Sequence, residues 1–131
     1  MAHVYYPGLE SHPQYDLAKR QMTGGGTVIT FELEGGTKER AFEVLDRLQI
    51  VDISNNLGDA KSLITHPATT THRAMGPEGR AAIGLSDGVV RLSVGLEDPE
   101  DLLEDQVDRF AGSQRERHRV RVVLALRARD H

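Results

Sequence analysis

Apolar and polar positions change period along this chain, and each change marks an expected element. From Gln14 to Met22 the residues Tyr15, Ala18 and Met22, with Leu17, fall on a helical stripe, and Gly24-Gly25-Gly26 ends it. Ser11-His12-Pro13 stands before the stripe, so this helix should begin near Pro13 behind a capping residue. The period then drops to two. Val28, Thr30 and Glu32 alternate with Ile29, Phe31 and Leu33, which predicts a strand. Gly35-Gly36 turns the chain, Thr37 caps a helix over Lys38 to Leu48, and Ala41, Val44, Leu45 and Leu48 line its inner face. Short strands are expected at Ile50 to Ser54 and Lys61 to Thr65, divided by the turn-forming Asn55-Asn56-Leu57-Gly58-Asp59. Beyond Pro67 a polar segment leads to a helix over roughly Glu78 to Ile83. The next strand, Val89 to Val94, sets Val89, Arg91 and Ser93 against Val90, Leu92 and Val94. Asp98-Pro99 opens a last helix, with acids over its positive end and Leu102, Leu103, Val107 and Phe110 turned inward.

This order predicts an α+β fold, a small mostly antiparallel sheet covered on one face by helices. The opposite, polar face is left for a ligand or partner. A chain of 131 residues suffices for one domain with a real core, built from Val, Ile, Leu and Ala because tryptophan is absent. Having no cysteine excludes disulfides, thiol nucleophiles and thiolate metal sites. No stretch approaches the length of a membrane span and none reads as an export signal, so a cytoplasmic location is expected. The net charge of −4 hides an asymmetry: after Gly112, Arg115, Arg117, Arg119, Arg121, Arg127 and Arg129 face only Glu116 and Asp130. This tail has no aromatic stacking residue and no recognisable nucleic-acid module, so it is expected to be a solvated or poorly ordered terminus.

Arg91 is the sharpest chemical candidate, because an unpaired guanidinium inside an apolar, β-branched run is costly. Something anionic should meet it, either a bound carboxylate or a structural ion pair with Glu97 or Asp59. Ser62 is expected to offer a hydroxyl or an amide to the same polar face. His66 and His72 lack a helical i, i+4 spacing and a third ligand, and read as loop histidines rather than metal ligands. The triple glycine runs into a strand, the wrong order for a phosphate loop. There is no Gly-x-Ser-x-Gly elbow, and Glu100, Asp101, Glu104 and Asp105 read as an exposed helix surface. No self-sufficient catalytic set is visible.

Several stretches carry a specific resemblance: Tyr6-Pro7-Gly8-Leu9-x-Ser11-His12-Pro13, Ala18-Lys19-Arg20-Gln21-Met22, Leu57 to Pro67, Thr71-His72 and Val90 to Asp98. Together they resemble the C-terminal domain of the Cys/Met-metabolism family of pyridoxal-phosphate enzymes. Ser54 to Ser62 followed by Thr69-Thr70-Thr71-His72 look most like the O-succinylhomoserine and O-acetylhomoserine sulfhydrylases. The resemblance implies the small domain of an aspartate-aminotransferase-type (fold type I) enzyme over residues 1–111, with residues 112–131 as an Arg-rich tail that has no counterpart. It implies that Arg91 binds the substrate α-carboxylate, that Ser62 lines the same site, and that the reaction is γ-replacement giving homocysteine in methionine biosynthesis. The family's cofactor lysine and phosphate loop lie in a large domain that no stretch here matches. The chain alone is therefore expected to bind pyridoxal phosphate only unstably, to have no catalytic residue and to be inactive. Its expected partners are the carboxylate of an O-acylhomoserine, the large domain or full-length subunits, and further copies of itself. The alternative is a non-catalytic subunit that docks on a complete enzyme.

Overall fold

A computed structural model of the chain describes residues 3–110, with side chains described as far as Asp105. The Arg-rich tail after Gly112 lies outside the described residues, as do the side chains of Val107 and Phe110. Among the described residues, five strands, β1 (His3–Tyr5), β2 (Val28–Glu32), β3 (Asp52–Ile53), β4 (Leu63–Thr65) and β5 (Val89–Ser93), form one sheet in the order β1-β2-β5-β4-β3. All neighbours are antiparallel except β3 and β4. Among the described residues, four helices, α1 (Tyr15–Gln21), α2 (Lys38–Arg47), α3 (Gly76–Ala82) and α4 (Pro99–Phe110), accompany the sheet with two 3-10 turns at Pro67–Thr69 and Arg73–Met75. The expected mostly antiparallel sheet with helices is thus observed.

The core follows from strand register. Leu92 of β5 lies between Ile29 of β2 and Ile64 of β4, and Phe31 pairs with Val90, so the central strands present aliphatic and aromatic side chains on one face of the sheet. Ala41, Val44 and Leu45 of α2 and Leu102 of α4 join these side chains in one buried cluster. Thr37 caps α2 as expected, its hydroxyl accepting from the Arg40 amide at 3.2 Å. Asp98 caps α4 by accepting from the amides of Glu100 and Asp101. The first helix starts two residues later than Pro13, and no side-chain hydrogen bond caps it. Strand β1 has no counterpart in the sequence reading, because three residues before a Tyr-Pro-Gly turn are too few to show a period.

Asp105 corrects another expectation. It does not belong to the solvated face of α4 but is 6% exposed. Its carboxylate accepts three main-chain donors, Gln49 N at 2.8 Å, Ile50 N at 2.9 Å and Val51 N at 3.2 Å. Periodicity assigned the neighbouring acids to water, but an acceptor-only carboxylate is the side chain that can satisfy several amides of the segment between α2 and β3 at once.

Candidate functional site

Strands β3 and β4 run parallel, yet only residues 54–62 join them, a shorter link than the dozen or more residues usual for a parallel crossover. The link therefore has no room for a helix and folds tightly. Gly58, at φ 76°, turns it in a conformation that disfavours a side chain. Its path is fixed by contacts to side chains of β5: the Gly58 amide donates to Ser93 Oγ at 2.8 Å, and Arg91 Nη2 donates to the Asn55 carbonyl at 2.9 Å. The second face of the sheet is consequently not an open polar surface. Leu63, Thr65, Val89 and Ser93 are all buried there, and Arg91 is half-buried.

Arg91 sits between Thr30 on β2 and Thr65 on β4, its cross-strand neighbours on this face. Both are short, which leaves the guanidinium free to reach the Asn55 carbonyl. The ion pair weighed from the sequence is absent among the described residues. Glu97 turns instead to Ser62, accepting from its amide at 2.6 Å and its hydroxyl at 2.7 Å, and Asp59 accepts from the Lys61 amide. Arg91 is left with a neutral carbonyl and, among the described residues, no counter-charge. A carbonyl fixes the direction of a guanidinium without neutralising it, so its remaining donors are available to an anion.

Ser62 occupies a different place. It precedes Leu63 and is out of phase with the Arg91 face; it is fully buried, and its hydroxyl also accepts from the Gly95 amide at 2.8 Å. The structure therefore does not bring Ser62 and Arg91 together as the sequence reading expected. Ser62 closes the turn that carries Glu97. A Cβ on Gly95 would lie 2.3 Å from the Ala60 carbonyl oxygen and 2.5 Å from Ser62 N, so only glycine lets these two backbones meet. Partial burial pushes the Glu97 carboxyl up, but the Ser62 amide and hydroxyl, its own amide and the charge of Lys61 outweigh this. Its net position is below the ordinary carboxylate range.

The residue that sequence reasoning missed is Asn55. Turn composition marked it only as a loop former, whereas its carbonyl holds Arg91 and its side chain meets Thr65 Oγ1 at 3.1 Å. Its signal was indirect: a parallel pair with so short a link forces that loop across the sheet. The histidines have assigned partners too. His66 is buried, with Nε2 2.6 Å from the Asp87 carbonyl and Nδ1 2.8 Å from Thr69 Oγ1, and His72 Nδ1 meets Thr71 Oγ1. A carbonyl only accepts, so His66 Nε2 carries a proton.

Pyridoxal phosphate needs a lysine within reach of its substrate and a cradle for its phosphate. The chain's three lysines do not fit this demand, since all are exposed and engaged elsewhere. Lys19 lies over the Tyr15 ring, Lys38 over the Phe42 ring, and Lys61 pairs with Asp52 at 3.4 Å. Gly24-Gly25-Gly26 leads into β2 rather than into a helix.

Comparison with known proteins matches this arrangement to one family. Residues 1–111 match the model of the Cys/Met metabolism PLP-dependent enzymes. An O-succinylhomoserine sulfhydrylase of Mycobacterium tuberculosis is 75% identical over 109 residues, covering 81% of this chain and 27% of the relative. An L-methionine gamma-lyase of Pseudomonas putida is 52% identical over 103 residues, covering 78% of this chain and 25% of the relative. Among solved structures, cystathionine gamma synthase from Xanthomonas oryzae pv. oryzae, in complex with aminoacrylate and cysteine, superposes with a TM-score of 0.78 at 46% identity, covering 83% of this chain and 28% of that one. The chain thus spans about a quarter of the length of the relatives it matches. On these matches and on its fold, the chain belongs to the Cys/Met metabolism family of PLP-dependent enzymes.

Proposed function

We propose that this chain is the substrate-carboxylate-binding part of an O-acylhomoserine sulfhydrylase, a γ-replacement enzyme that makes homocysteine. One observation carries the proposal: Arg91 is half-buried, held by a neutral carbonyl and without a counter-charge among the described residues. A planar guanidinium so placed is matched to the two oxygens of an α-carboxylate. Gripping that group orients the amino acid, and orientation is what this chain supplies to the reaction. Pyridoxal phosphate, in the complete family enzyme, supplies the electron sink, and its lysine belongs to a part of the enzyme outside this chain. Ser62 contributes from beneath, by holding Glu97 and the turn at Gly95.

The preference for an O-acylhomoserine follows the 75% identical sulfhydrylase, and a cytoplasmic setting accords with the absence of cysteine. Ile53, Leu57 and Leu96 are more than half exposed, on or flanking the link that crosses the Arg91 face. This apolar group favours docking against the remainder of the enzyme, and self-association when that remainder is missing. The test is a titration of the nitrogen-15-labelled chain with O-acetyl-L-homoserine, followed at the Arg91 side-chain resonance, for the wild type and Arg91→Lys. Saturable shifts at Arg91, with weaker binding in the variant because a bidentate grip is lost, are expected. Equal binding by both proteins would remove Arg91 from the site.

A further inference from the structure

The face beneath Arg91 holds a chain of hydroxyl contacts that the carboxylate grip does not itself require. As placed, Thr65 Oγ1 donates to Asn55 Oδ1 at 3.1 Å and lies 2.9 Å from Thr70 Oγ1, and Thr70 Oγ1 donates to the His66 carbonyl at 2.8 Å. Thr65 is 1% exposed, so water does not compete for its hydroxyl. If Asn55 presents its amide oxygen to Thr65, two hydroxyl protons must serve three contacts, and one contact is left without a proton. If Asn55 presents its NH2 group, each contact gains a donor: Asn55 Nδ2 donates to Thr65, Thr65 to Thr70, and Thr70 to the His66 carbonyl. Assignment of the two amide atoms rests on such proton accounting, and it selects the second orientation.

The consequence reaches Arg91. The residue whose side chain is fixed by Thr65 is the one whose main-chain carbonyl accepts from Arg91 Nη2 at 2.9 Å. Holding the side chain of this exposed loop residue restricts the rotation of its own backbone, and with it the directions its carbonyl can take. We infer that Thr65 and Asn55 are positioning residues: the directed relay Asn55→Thr65→Thr70→His66 carbonyl locks the Asn55 carbonyl, and that carbonyl aims the Arg91 guanidinium at the substrate carboxylate. This rests on the carboxylate-binding reading above. None of the four residues need touch substrate for the relay to act. Its effect is to hold the guanidinium in one orientation before binding, so that less freedom is lost when the carboxylate arrives.

Two readouts on the full chain test this separately from the carboxylate reading. The first is rotation of the Arg91 guanidinium, seen as exchange between its Nη signals without ligand. The second is affinity for O-acetyl-L-homoserine. Thr65→Val keeps the volume and removes the hydroxyl; it is expected to speed rotation and weaken binding by about threefold to tenfold, the range for one neutral hydrogen bond. Thr65→Ser should restore both. Exposed Thr70→Val should move both in the same direction and provides the test if Thr65→Val does not fold. A merely structural role would lower stability and leave the rotation unchanged. Unchanged rotation in both folded valine variants would overturn the relay. Should the wild-type Arg91 signal ignore the ligand while rotation still responds to the variants, the relay stands and the carboxylate reading fails.

Discussion

Replacing Asp105 by alanine should cost far more than its place on a helix face suggests. The carboxylate serves three amides, at 2.8, 2.9 and 3.2 Å, that no helix or strand partner satisfies. Their loss is not equal. Gln49 is exposed and its amide finds water, Ile50 is half-buried, and Val51 is 4% exposed and leaves its donor unmet. An unsatisfied buried donor costs about 1–3 kcal/mol, and hydrogen bonds to a charged group contribute about 1.5–3 kcal/mol each. One full loss at Val51 with a partial loss at Ile50 gives about 3 kcal/mol, a large share of the roughly 5–15 kcal/mol that holds a domain together. For a domain of this size that corresponds to a drop in Tm on the order of 10–20 °C. Urea unfolding followed by circular dichroism measures it, with Asp105→Asn intermediate because one acceptor oxygen survives. A stability change in the alanine variant below about 1 kcal/mol would refute the reasoning, and with it the claim that α4 anchors the segment entering β3.

Other expectations follow from the same geometry. Glu97 has a depressed carboxyl pKa, so its contribution is complete above its ordinary value of 4.5 and is lost as pH falls through the lower folded value. Glu97→Gln should flatten that acid limb of a stability–pH profile, and an unchanged limb would mean another group sets it. Gly95→Ala drives a methyl into the backbone of Ala60 and Ser62 and should destabilise by about 1–3 kcal/mol in thermal unfolding, whereas Gly35→Ala, with open space but φ 84°, tests strain alone. The exposed Lys61–Asp52 pair should matter little: Lys61→Ala is expected to change stability by less than about 1 kcal/mol in urea. Pyridoxal phosphate added to the chain should give no visible absorption band that responds to O-acetyl-L-homoserine, and a saturable, responsive band would assign cofactor chemistry to one of the three lysines.

Elements with a clean period are legible in the sequence. The strand at Val28–Glu32 and the helix at Lys38–Arg47 follow directly from alternation and from the spacing of Ala41, Val44 and Leu45. Arg91 stood out as a candidate because a charge in a β-branched run has few inexpensive explanations. What lay hidden depends on tertiary contact. Asp105 looks like Glu104 to any periodic rule, and only the proximity of residues 49–51 makes it the acceptor for their amides. Ser62 looks available in sequence, but burial beneath Glu97 uses its hydroxyl and its amide. Asn55 was read for its turn propensity, and its role depends on a parallel strand pair that local pattern does not reveal.

Recognition of a carboxylate by Arg91 is tested most directly by comparing two ligands that differ only there. The labelled wild-type chain is titrated with O-acetyl-L-homoserine and with its α-carboxamide, and the Arg91 side-chain signal is followed in both. A saturable shift with the carboxylate and none with the carboxamide is the predicted result. Equal responses to the two ligands, or a response to the carboxylate confined to residues away from Arg91, would contradict the assignment of this chain as the carboxylate-binding part of its enzyme.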